Sequence, residues 1–92
     1  MAFTREEAVA RARADLAERL GVKENEVDEE AVEDTDFPDA NFGASMPDEM
    51  SAQMITPGWR IRLKANGQTF EYRANRNRLR LFNYRGANHR VV

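Results

Sequence analysis

Five arginines, Arg60, Arg62, Arg73, Arg78 and Arg80, crowd residues 60–80 of this chain, several of them at alternate positions. A guanidinium is a planar fork of N–H donors that grips phosphate or carboxylate through two bonds and stays charged at any ordinary pH. Displayed on one surface beside Phe82 and Tyr84, these side chains could hold a nucleic-acid backbone while Tyr84 stacks a base. They could equally pair with acids of the same chain, since opposite charges facing each other across strands stabilise a sheet.

The acids to do so are present, but elsewhere. Residues 1–56 carry 15 Asp/Glu against 5 Lys/Arg, whereas residues 57–92 carry 9 Lys/Arg against the single acid Glu71. The formal net charge of −2 therefore hides two halves of opposite sign. An acidic half on so small a body weakens attraction to phosphate, which favours a protein partner over nucleic acid.

A second constellation is apolar. Phe42, Met46, Met50 and Met54 lie between Pro38 and Thr56, in a stretch also broken by Gly43 and Pro47. Ser45-x-x-Asp48 with Pro47 predicts a short helical turn, and methionines spaced four apart would then share one face. Methionine adapts to varied surfaces, so these four residues are candidates for contacting a protein partner. The competing reading places them at the end of a thin core. Strand addition to an exposed edge, either 79–84 or the acidic segment 29–36, is a further mode of contact.

Other chemistry is poorly provided for. Asp34-x-Asp36-x-x-Asp39 has the beginning of a calcium loop, but Pro38 and Asp39 stand where an oxygen ligand and glycine are required. There is no cysteine, so neither a disulfide nor a thiolate site is possible. His89 is the only histidine, near the end of the sequence, and Ser45 and Ser51 have no base nearby. No glycine-rich phosphate loop occurs. A non-enzymatic domain without metal or cofactor is expected.

The elements that must position these residues follow from local pattern. Thr4 and Glu7 form a capping box, Ala8, Val9, Ala12, Leu16 and Leu20 recur at helical spacing, and Gly21 offers a left-handed stop. A helix over 4–20 is predicted. Residues 29–36 read as an exposed acidic strand ended by Phe37-Pro38, and 38–56 as a long loop. Over 58–84, Trp59, Ile61 and Leu63 alternate with arginine and lysine, and Asn66-Gly67 suits a type I′ turn. Phe70 and Tyr72, then Leu79 and Leu81, repeat the alternation and predict a three-strand meander. The tail 85–92 reads as loose.

The expected fold is α+β, an N-terminal helix packed on a three- to four-stranded antiparallel sheet. One domain of 92 residues follows, with arginines on the face away from the helix. The N-terminus has no apolar leader and no stretch is long enough to span a bilayer, so a cytoplasmic location without membrane contact is expected.

Four segments carry a resemblance. Asp15-Leu16-Ala17-x-Arg19-Leu20-Gly21-Val22, Phe37-Pro38-Asp39-x-x-x-Gly43, Ile55-Thr56-Pro57-Gly58-Trp59-Arg60-Ile61 and Asn66-Gly67-x-x-Phe70-x-Tyr72-Arg73 together resemble a small family of uncharacterised bacterial domains. The resemblance implies a small α+β domain and no assigned activity. Such relatives commonly carry Trp, Cys and His where this chain has Phe37, Ala44 and Arg73. No disulfide or histidine role therefore transfers. The combined expectation is a protein-interaction or regulatory domain, with nucleic-acid binding as the alternative.

Overall fold

The structure, a computed structural model, describes residues 2–92. One helix, α1 (Arg5–Leu20), is followed by a short 3-10 turn at Glu24–Glu26. Five strands complete it: β1 (Asp28–Phe37), β2 (Thr56–Ala65), β3 (Gln68–Ala74), β4 (Leu79–Tyr84) and β5 (Ala87–Arg90). They form one antiparallel meander in the order β1-β2-β3-β4-β5. The α+β class holds, with five strands because the tail is not loose: residues 87–90 pair with β4.

The helix forms for the reasons its sequence displays. Thr4 Oγ1 accepts from the Glu7 N–H at 3.1 Å, and Glu7 Oε1 accepts from the Thr4 N–H at 2.8 Å. At the other end Gly21 adopts φ 69° and its N–H returns to the Ala17 and Glu18 carbonyls. Ala8, Val9, Ala12, Leu16 and Ala17 form the buried stripe. Four of these five residues are alanine or valine, so the helix axis can sit close to the sheet, and Leu16 is its one large anchor.

Pairing register decides which side chains share a face. Trp59 opposes Ala74, Ile61 opposes Tyr72 and Leu63 opposes Phe70, while Tyr72 opposes Leu81 and Ala74 opposes Leu79. All of these lie on the helix side of the sheet, in its core or packed against it, and Ile61, Leu63, Tyr72, Leu79 and Leu81 are fully buried. The reverse face carries Arg60, Arg62, Glu71, Arg73, Arg80 and Phe82. The Tyr72 hydroxyl donates to Asp15 Oδ2 at 2.7 Å, and the same oxygen accepts from Arg19 Nε at 2.7 Å. Burial first, then the neighbouring carboxylate, hold the Tyr72 phenol well above its ordinary pKa.

Segment 38–55 does not trail into solvent. It folds back over the arginine face, so the sheet is covered on both sides: by α1 on one and by this strap on the other. Phe37, Phe42 and Ala44 are buried beneath it as a second, smaller core, with the Phe37 and Phe42 rings 5.4 Å apart. Among the described residues no helix is long and apolar enough to cross a membrane.

Candidate functional site

The strap is attached by the arginines themselves. Glu49 lies 31 residues before Arg80 in sequence, yet its two carboxylate oxygens meet the two terminal nitrogens of Arg80 at 2.5 and 2.8 Å. Arg80 is only 3% exposed, so this is a buried, two-pronged ion pair. Arg90 Nη2 adds a contact to Glu49 Oε2 at 3.1 Å, and the Met46 N–H donates to Oε1 at 2.8 Å. The hydrogen bonds from Arg80, with that N–H, outweigh the opposing effect of burial and lower the Glu49 pKa to about 2.

Arg78 reaches the same strap near its start. Its Nη1 donates to the Ala40 carbonyl at 3.0 Å and to Asn41 Oδ1 at 2.5 Å. Asn41 is itself buried and also donates to Ser45 Oγ at 3.3 Å. Arg73 donates from Nη1 to the Phe42 carbonyl at 2.8 Å and lies over the Phe82 ring at 3.6 Å. Gly43, at φ 66°, is the position that permits this approach. A Cβ there would come within 2.9 Å of Arg73 Nη1, and the left-handed backbone already disfavours a side chain.

A second acid of the strap, Asp39, also takes a structural post. Asp39 Oδ1 accepts from the Asn41 N–H at 2.9 Å and the Gly43 N–H at 3.0 Å. Burial opposes ionisation of Asp39, but these donors and the positive charge of Arg73 prevail and hold its carboxyl below the usual range. Elsewhere on the face Glu71 is the hub, 2.7 Å from Arg73, 3.4 Å from Arg62 and 3.5 Å from Arg60. Glu33 of the acidic strand adds one longer pair to Arg62 at 3.9 Å.

This arrangement reassigns the residues singled out from sequence. Arg73, Arg78 and Arg80 hold the strap, and Arg80 is out of reach of a phosphate. Arg60 and Arg62 remain half-exposed beside Glu71. Tyr84 is not a platform beside them. It is 9% exposed on the helix side of the sheet, packed against Phe70 and His89 and beneath Arg19. A bulge at Asn83, with φ 51°, shifts the β4–β5 register and turns Tyr84 over. The five arginines and Tyr84 therefore do not make one surface.

The four apolar candidates divide as well. Phe42 is fully buried, a core residue rather than a displayed one. Met46 is half-buried where its N–H meets Glu49. The predicted turn is limited to the Glu49 N–H bonding the Met46 carbonyl at 3.0 Å, so no helical face aligns the three methionines. Met50 and Met54 are 98% and 57% exposed, and a residue not picked out from sequence, Ile55, joins them at 71%. These three stand on the outer rim of the strap. Backbone bonds from Ala40 N–H to Ala52 O and from Met54 N–H to Ala52 O, both 3.0 Å, fix its course. Of the two edges considered for strand addition, β1 is an outer strand, whereas β4 is interior.

Among known families, residues 9–82 match a domain of unknown function, DUF8738. No curated protein and no solved structure matches the chain.

Proposed function

The chain belongs to the DUF8738 family, whose function is not established, and from its geometry we propose a non-catalytic protein-interaction domain whose contact surface is the strap rim. One observation carries this reading. Met50, Ile55 and Met54 stand out of the surface on a segment that a buried ion pair and two further arginine attachments, from Arg73 and Arg78, hold in place. Scattered apolar side chains are ordinary on protein surfaces, but three strongly exposed ones within six residues of one strap concentrate apolar surface there. Pre-ordering the crest removes part of the entropy cost that a flexible loop would meet on binding. The carboxyls with lowered pKa, Glu49 and Asp39, face arginine and backbone donors within the strap rather than an open cleft, which favours a binding over a catalytic role.

The triple variant Met50→Ser, Met54→Ser, Ile55→Ser tests it. Exposed substitutions of this kind shift stability by roughly 0.5 kcal/mol or less each, so the urea midpoint should stay near that of the parent. Affinity capture from the source cells should recover a partner with the parent chain and lose it with the variant. Isothermal titration with that purified partner should then show at least a tenfold loss. Equal binding by parent and variant would remove the crest from the contact.

A further inference from the structure

Beyond the N-terminal end of α1, on the helix side of the sheet, a groove of about 420 Å³ opens between β1, β2 and the β3–β4 turn. Its walls include Asp34, Asp36, Trp59, Asn75 and Arg76. Register explains why they meet. Asp34 opposes Trp59 and Asp36 opposes Pro57, so both carboxylates project on the same side as the indole. Val32, one step earlier on this face, packs against the core, and Arg5 of the helix donates to its carbonyl at 2.5 Å. The cover supplied by the helix thus ends just short of Asp34. The backbone of Arg76, on the opposite wall, is tied to the start of the chain by the Phe3 N–H bonded to its carbonyl at 2.6 Å.

The chemistry left over in this groove is specific. Residues two apart on a strand face lie about 7 Å from one another, a span that a guanidinium fork can enter from above. Neither Asp34 nor Asp36 forms an ion pair among the described residues. Trp59 is half-buried, supported from below by the core and open on the groove side. An indole face attracts a cation within about 6 Å, and a planar guanidinium both stacks on it and bonds to carboxylates. Arg76 stands on the rim as a single opposing charge, leaving two carboxylates against one cation.

We propose that this groove receives an arginine side chain of a partner protein, stacked on Trp59 and bonded to Asp34 and Asp36. The strand that carries both aspartates is the open edge of the sheet, so an extended partner segment laid along it places every second side chain over this face. The site is separate from the strap rim and does not depend on it.

Trp59 is the only tryptophan, so its emission reports occupancy directly. The probe is an end-blocked five-residue peptide alternating threonine and arginine, titrated at 50 mM salt. Its control has citrulline, which is isosteric and uncharged, in place of each arginine. The arginine peptide should change the emission saturably and the citrulline peptide should bind at least tenfold more weakly. Asp34→Asn with Asp36→Asn should weaken the arginine peptide at least tenfold, Arg76→Ala should tighten it, and Met50→Ser should leave it unchanged. These positions are exposed, and matched urea midpoints verify that each variant is folded. Equal response to both peptides overturns the proposal. So does an equal loss on Glu29→Gln with Glu33→Gln, which would reveal diffuse attraction to an acidic strand.

Discussion

Glu49→Gln should be among the most damaging single substitutions in this chain, lowering stability by about 3–5 kcal/mol, the usual cost of stranding one member of a buried ion pair. Arg80 is 3% exposed and sits under the strap with its two terminal nitrogens on the two Glu49 oxygens. Glutamine keeps the volume but supplies one acceptor and a donor aimed at the guanidinium, leaving a buried charge uncompensated. A domain of this size has a total stability of only about 5 kcal/mol, so urea melts at pH 7 should show the variant partly unfolded before denaturant is added. Replacing both partners, Glu49→Met with Arg80→Met, removes the stranded charge and should recover most of the loss.

The same pair predicts an acid limb. The Glu49 pKa lies near 2 in the folded chain against an ordinary 4.5. A lowered carboxyl pKa contributes stability that is complete above the unfolded value and fades as pH falls through the folded one. A difference of this size corresponds to about 3 kcal/mol. Stability should therefore decline between about pH 4.5 and 2, and the Met/Met double variant should lose that part of the decline. An unchanged acid limb in the double variant would assign it to other carboxyls.

Some of this architecture was plain in the residues and some could not be. The helix is announced by Thr4, Glu7 and Gly21, each acting within three or four residues of its partner. The first hairpin is announced by Asn66 and Gly67, whose φ values of 53° and 74° are those of a type I′ turn. The last hairpin uses Arg85 and Gly86 at φ 52° and 81°. Arginine carries a steric cost in that conformation, so the pair gives no turn signal and β5 has no local signature. Tyr84 illustrates a second limit. Counting by twos from Leu79 puts it on the arginine side, and only the bulge at Asn83 reverses it.

The strap was illegible for a deeper reason. Period-two alternation marks Arg80 as an outward side chain, and outward it is, but outward here means into a second core. What fills that space comes from residues 37–49, through a glutamate, an asparagine and two phenylalanines that share no local spacing with β4. Charge balance hinted that acids would meet arginines, yet the acidic strand supplies only the 3.9 Å contact from Glu33. The principal neutralisers are Glu71, already within the sheet, and Glu49, an acid of the strap that lies outside the acidic strand.

Phe42→Ala distinguishes a strap that is core from one that is merely draped. Phe42 is fully buried against Phe37, and its carbonyl accepts from Arg73. Truncating a phenylalanine in a packed site costs about 3–5 kcal/mol through lost burial and the cavity left behind. Its φ of 61° is retained by alanine, so no backbone relief offsets that loss. Met50→Ala, eight residues along the same strap and 98% exposed, should change stability by less than about 0.5 kcal/mol. Paired urea melts give the answer. A Phe42→Ala chain that keeps its midpoint would mean the strap lifts away without disturbing the sheet. The Arg80–Glu49 clasp would then hold little beyond itself, and the fixed crest that presents Met50, Met54 and Ile55 would lose its foundation.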